Sequence, residues 1–299
     1  MNLKIGLLII IIVFGVIATL AFFYIIFSDT YFHYGQSIDA DLADKFGSFF
    51  SGFVGTLFTI VSILLIIYSM HTQNIQVRKA ETIGNFFKML DYHNQNVSDL
   101  RMPDIDINKK DINEGRRAFV NYKIQLKRLL EIVIEENNVK QYRMPSKEII
   151  DIAYMVFYYG LDTTWISFIN EKVARYPNGP TMVMHLLNVI ESNRDIKIGR
   201  TNQTGLSSYF RNMYGAIKLV DESKLISPEE KRNLIKIYRA QLSNPELYIL
   251  FYNVISRFGK KWNANNYITK YEFIKNLPKG YADLFNPKDF YDIPYEDEE

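Results

Sequence analysis

The chain has 299 residues, 48% of them hydrophobic, with 35 Lys+Arg against 33 Asp+Glu and no cysteine. That composition excludes a disordered chain, a disulfide framework, any Cys-based metal site and a thiol nucleophile. The net charge of +2 makes no compositional case for nucleic acid as a partner. The four histidines (His33, His71, His93 and His185) show no metal-ligand spacing.

The mean hydropathy of −0.10 conceals an uneven chain, because much of the apolar weight lies in the first 70 residues. Ile5 to Phe27 is 23 residues without a charge, long enough at 1.5 Å per residue to cross a hydrocarbon core of about 30 Å. It exceeds a signal-peptide core and offers no small-residue cleavage site near Phe22-Phe23-Tyr24, so an uncleaved span is expected. Phe46 to Met70 is a second uncharged stretch, of 25 residues. The loop between them, 28–45, carries Asp29, Asp39, Asp41 and Asp44 against Lys45. Tyr31, Phe32 and Tyr34 of that loop are expected at the membrane interface. Lys4 precedes the first span, and Arg78 and Lys79 follow the second. Positive charge prefers the cytoplasmic side, which predicts a two-helix hairpin with both termini inside.

The second span places Ser48, Gly52, Gly55, Thr59 and Ser62 on one helical face. Small residues let helix backbones approach closely. Packing against the first span is the plainer expectation for this face, and a self-associated bundle or pore is the other.

No proline occurs before Pro103, so the second span continues as a helical stalk over 71–102, with Gly84 the expected interruption. A continuous helix from Phe46 to Leu100 would be about 80 Å long. Met102 to Asn113 reads as a polar linker. Phe119, Tyr122, Leu126, Leu129, Leu130 and Val133 repeat at helical spacing. A helical segment opens at Pro145-Ser146 and is expected to end near Arg175. A short helix runs from Thr181 to Ser192, and a polar loop follows around Asp195 to Gly205. Leu206, Phe210, Met213, Ile217 and Val220 step by alternating fours and threes. Ser227-Pro228-Glu229-Glu230 and Ser243-Asn244-Pro245-Glu246 each carry the Ser/Glu spacing of a helix start. The fold class is therefore all-α, a transmembrane hairpin (1–70) and stalk followed by a helical cytoplasmic domain over 103–280 and a loose acidic tail over 281–299. Residues 1–70 hold two bases and four aspartates, leaving 33 basic and 29 acidic residues beyond them, a balance of +4. That charge suits a domain near an anionic leaflet.

No Walker A, dinucleotide-type glycine, HExxH or GxSxG pattern is present. The nuclease-like triplets Asp195-Ile-Lys197, Glu222-Ser-Lys224 and Glu229-Glu-Lys231 are short enough to arise by chance. No catalytic residue, metal ligand or cofactor is therefore assigned. The candidate functional polar cluster comprises His93, Arg116, Arg211, Tyr214, Asp221, Arg239, Glu246 and Asn253. Arg211 and Asp221 fall beside one apolar seam, where an ion pair, a carboxylate clamp or polar bridging between helices would fit. His93 lies on the apolar side of its helix, as a satisfied core histidine would.

One ordered set of residues resembles a known family. Phe46-Gly47-Ser48 through Gly55 leads to Gln73, Glu81, Phe86-Phe87, Leu90 and His93. Gly115-Arg116-Arg117-Ala118-Phe119 and Tyr209-Phe210-Arg211-Asn212-Met213-Tyr214 come next. Arg239-Ala240-Gln241-Leu242-Ser243 through Glu246, Leu250-Phe251-Tyr252-Asn253 and Phe258-Gly259-Lys260 complete it. Over about 46–278 this order and spacing resemble the phage abortive-infection (AbiC-type) membrane proteins of bacteria. The resemblance implies antiphage defence from the bacterial inner membrane and supplies no catalytic residue. Three readings follow from it: an oligomeric effector that perturbs the bilayer, a tethered module that captures a phage or host protein, and an unrecognised nuclease around Arg211, Tyr214, Arg239 and Glu246. The expected partners are the lipid bilayer, further copies of the chain, and a phage protein or companion defence component.

Overall fold

A computed structural model of the protein describes residues 2–28, 33–34, 37–106, 111–192, 198–295 and 298. Asp29, Tyr31 and Phe32 of the expected outer loop lie outside the described residues, as do Asp195 to Lys197 and Glu296, Asp297 and Glu299 of the tail. The chain is 75% helix and 3% strand, which bears out the all-α expectation. It divides into two compact units, 1–76 and 77–299.

The first unit holds α1 (Asn2–Ser28), the two-residue strands β1 (His33–Tyr34) and β2 (Ser37–Ile38), and the leading part of α2 (Ala40–Ser98). α2 contains a stretch long and apolar enough to cross a membrane, with none of it buried inside the chain. Phe22 of α1 lies against Phe46 and Phe50 of α2, at ring separations of 5.7 and 4.9 Å. Closer to the start of α1, Gly15 faces Phe58, whose ring would lie 3.2 Å from an added Cβ. Falling numbers on α1 thus meet rising numbers on α2, and the two helices run antiparallel.

This contact corrects one expectation. The stripe of Ser48, Gly52, Gly55, Thr59 and Ser62 does not meet α1: a Cβ added at Gly52 or Gly55 would touch nothing within 4 Å. The phenylalanines lie on a different face of α2, and their larger apolar area makes that face the one buried against α1. The stripe stays exposed.

The second unit begins inside α2, which runs unbroken through Gly84. Residues 77–98 are not a freestanding stalk, because Phe86, Leu90, His93 and Val97 are buried. Nor is Met102 to Asn113 only a linker: β3 (Arg101–Pro103) pairs antiparallel with β4 (Ile112–Glu114). Strands of three residues are too short to show a period in the sequence.

Eight further α-helices of the described residues follow up to the start of α11: α3 (Arg116–Val139), α4 (Ser146–Tyr159), α5 (Thr163–Val173), α6 (Gly179–Ser192), α7 (Gln203–Glu222), α8 (Pro228–Arg239), α9 (Asn244–Ile255) and α10 (Lys260–Ala264); α11 is Tyr267–Lys270. The expected apolar stripes of α3 and α7 are buried along their whole length. The segment opened by Pro145 stops well before Arg175. Gly160 adopts φ +81°, and a Cβ there would lie 2.6 Å from the Thr201 backbone nitrogen, so the chain turns where only glycine fits. The expected loose tail also packs, with Ala282, Ile293 and Tyr295 buried.

Ser227 and Glu230 form a reciprocal capping box at the start of α8, with Pro228 in the first turn. Glu230 also takes a hydrogen bond from Lys79 of α2 at 2.5 Å. That bond and those from Ser227 hold its carboxyl down at about 2. Replacing Ser227 with Ala should cost about 1 kcal/mol, read as a lower unfolding midpoint in urea.

Candidate functional site

Five elements of the second unit converge on Glu246. Ser243 and Glu246 form the capping box that starts α9, so one carboxylate oxygen, Oε2, accepts from the Ser243 backbone N–H at 2.9 Å and its hydroxyl at 2.5 Å. The other, Oε1, accepts from the Tyr209 hydroxyl of α7 at 3.2 Å and lies 3.5 Å from His93 Nε2 of α2. Arg116, in the first turn of α3, brings Nε to 3.8 Å of Oε2 while donating to the Gln241 carbonyl at 2.9 Å. The His93 ring packs between Tyr209 and Tyr238 of α8, with centroids 4.9 and 5.0 Å away.

Glu246 and His93 are both fully buried. Burial opposes ionisation of Glu246, but the donors His93 and Ser243 outweigh it and hold the carboxyl below the ordinary glutamate range. Burial and the adjoining Glu246 charge push the Tyr209 and Tyr238 hydroxyls well up. A carboxylate so enclosed has no open path to a substrate. It links helices far apart in sequence. The buried Tyr238 hydroxyl is left without a hydrogen-bond partner among the described residues, and the His93 ring nitrogens meet no more than the 3.5 Å approach to Oε1, so His93 is not the satisfied core histidine expected.

The other members of the predicted cluster do not join this centre. Arg211 is exposed and donates to the Ser207 carbonyl one turn back. Tyr214 packs on Trp262 and Tyr267 and accepts from Asn265 at 3.3 Å. Asp221 pairs with Lys270 and accepts from the Tyr271 hydroxyl at 2.5 Å, so it bridges α7 to α11 and forms no pair with Arg211. Burial raises the Asp221 carboxyl, and those two donors more than reverse the effect. Arg239 donates to the Tyr271 and Glu272 carbonyls at 3.3 and 2.9 Å. Asn253 donates to the Tyr154 hydroxyl at 2.9 Å. Of the pair for which polar bridging was expected, Asp221 reaches another helix and Arg211 bonds only within its own.

A second buried carboxylate went unread in the sequence. Asp151 of α4 is 2% exposed. It accepts from the Arg257 backbone N–H at 2.7 Å, its Nε at 2.9 Å and its Nη2 at 2.6 Å, and from the Tyr176 hydroxyl at 2.8 Å. The signal was present: Asp151 is a lone acid inside Ile149-Ile150-Asp151-Ile152-Ala153, and a charge in such a run must be paired. Among the described residues no group of three or more His, Asp or Glu side chains is placed to hold a metal ion.

The comparison with known families falls on this part of the chain. Residues 201–281 match a family model described as "Putative phage abortive infection protein". That segment, which runs from the approach to α7 past α11, is therefore similar to the phage abortive infection family. The match holds Tyr209, Arg211, Tyr214, Asp221, Arg239, Glu246 and Asn253, whereas His93 and Arg116 reach the Glu246 centre from outside it. No curated protein and no solved structure matches the chain.

Proposed function

We propose that the protein is an antiphage effector of the abortive-infection type, held in the bacterial plasma membrane by α1 and the apolar part of α2 with both termini in the cytoplasm. The helical unit 77–299 senses infection, directly or through a phage protein or companion defence component, and acts through the membrane helices of several associated copies to perturb the bilayer. The match of residues 201–281 to an abortive-infection family carries the defence reading. The membrane part is supported by the unburied apolar stretch of α2 and by the exposed small-residue face beside it. Thr56 and Thr59 donate to carbonyls of their own helix at 2.5 and 2.9 Å, which makes that region compatible with lipid and with another helix. No enzymatic step is invoked, and Arg211, Tyr214, Arg239 and Glu246 make their hydrogen bonds at separate places, which argues against a shared nuclease site.

The test is membrane potential, followed with a voltage-sensitive dye during phage infection of cells carrying the intact protein, the Gly52→Leu form or no protein. Early depolarisation is expected only with the intact protein, together with loss of protection in Gly52→Leu at unchanged protein level. Full protection at unchanged potential would overturn the membrane reading and favour a tethered module that captures a phage or host protein.

A further inference from the structure

We infer that the cavity at the start of α7 is a binding site for a small phosphate ester, such as a sugar phosphate or a nucleoside monophosphate. The cavity has a volume of about 420 Å³, within the range of small-ligand pockets. It lies wholly within the second unit, away from the Glu246 centre's buried carboxylate.

Its floor is the first turn of α7, where Thr204, Gly205 and Ser208 line the space. The Asn202 side chain does not cap this helix, and of its opening N–H groups that of Gln203 already meets the Thr201 hydroxyl at 3.4 Å. The opening N–H groups of a 20-residue helix favour a negative charge placed before them. A cap of this kind alone would be common, but a second observation points the same way. Tyr122 of α3 is 96% buried, from its relative exposure of 4%, and lines the cavity. Its hydroxyl makes no hydrogen bond to any described residue and would lie 2.8 Å from a Cβ added at Gly205. Gln125, 1% exposed, sits beside it; its carbonyl oxygen is taken by Asn202 at 3.2 Å, leaving its amide N–H groups to the cavity. The Tyr122 hydroxyl, on a side chain more than nine-tenths buried, therefore stands beside the helix terminus without a hydrogen-bond partner among the described residues. A phosphate oxygen placed there would accept from that hydroxyl and from the Gln125 amide that lines the same cavity.

The charges at the rim agree. Arg200 is exposed and makes no ion pair among the described residues. Arg101 shares the rim and lies 3.3 Å from Glu114. Asp99 is the one carboxylate in the lining. It disfavours a polyphosphate and can accept from the hydroxyl groups of a sugar, so the arrangement suits an ester over the bare ion. Glycine at 205 lets Tyr122 and Leu100 close on the helix, since any Cβ there would come within 2.8 Å of both.

Isothermal titration of the full-length protein in detergent tests this with three probes: inorganic phosphate, ribose 5-phosphate and adenosine 5′-monophosphate. At least one ester should bind saturably and more tightly than inorganic phosphate. Arg200→Gln, a surface change, should weaken it at least about tenfold, the effect of one charge-assisted hydrogen bond. Tyr122→Phe, which removes only the hydroxyl, should weaken it severalfold while the unfolding temperature stays near that of the parent. Absence of saturable binding by every probe, or full affinity retained in Arg200→Gln, would overturn the assignment. Inorganic phosphate binding as tightly as both esters would overturn the ester part of it. None of these readouts depends on phage protection or membrane potential, so failure here and failure of the membrane reading are separable.

Discussion

Glu246→Ala should destabilise the second unit by about 3–5 kcal/mol, the usual cost of removing one partner from a buried charged cluster. The reason lies in what remains. The Ser243 N–H and hydroxyl and the Tyr209 hydroxyl lose their acceptor inside a closed space, and His93 and Arg116 lose the carboxylate they approach. α9 also loses its capping box. For a unit of this size the loss corresponds to a drop of roughly 6–20 °C in unfolding temperature. Glu246→Gln should cost less, because an amide oxygen can still accept from Ser243. The pH dependence has a definite sign. The folded carboxyl sits below the ordinary range, so its contribution is complete above the unfolded value of about 4.3 and fades as pH falls through the folded value. The stability gap between parent and Glu246→Gln should therefore be constant near neutrality and narrow on acidification below about pH 4. Depressed carboxyls elsewhere, on Asp221 and Glu230, affect both proteins alike and drop out of the difference. A gap that does not change with pH would show that the charge on Glu246 contributes nothing.

Asp151→Ala should cost a similar 3–5 kcal/mol, by a different route. Arg257 gives Asp151 one backbone and two side-chain donors, and its side chain is only 20% exposed. Without the carboxylate, a guanidinium fixed at the end of α9 keeps only the Lys172 carbonyl at 3.1 Å and must find water or move. Tyr176 loses its acceptor too, which loosens the turn after α5. The double variant Asp151→Leu with Arg257→Met should recover part of the loss, since a buried pair replaced whole by apolar groups is often near neutral. Urea unfolding of the two single variants and the double one measures this directly. Strict additivity of the single losses would mean that the two side chains do not stabilise each other.

The helical elements were legible because their signals are local. The stripes of α3 and α7, and the Ser/Glu spacings before α8 and α9, each need only a few neighbouring residues to be read. Boundaries set at a distance were not. The turn at Gly160 depends on the approach of Thr201, and the ordering of the final segment depends on a core it joins from the far end of the chain. The site divides in the same way. Glu246, His93 and Arg116 were named from the sequence within a cluster of eight, but which of the eight would meet was not legible, because nothing local links positions 93, 116 and 246. The place of Glu246 in a capping box was readable. Its second oxygen, turned to Tyr209, was not. Asp221 was expected beside Arg211 because spacing on one helix is visible, whereas Lys270 and Tyr271 reach it from another helix.

The exposed face of α2 carries a consequence of its own. Thr56 and Thr59 already spend their hydroxyl protons on carbonyls one turn back, so a neighbouring helix gains no donor from them by arriving there. What that region mainly offers is proximity of backbones at Gly52 and Gly55, rewarded by dispersion. Recognition that rests mainly on shape is shallow for a pair of helices and rises steeply with crowding. Copies joined in this way would part as readily as they meet, and the balance between apart and together would answer to local concentration.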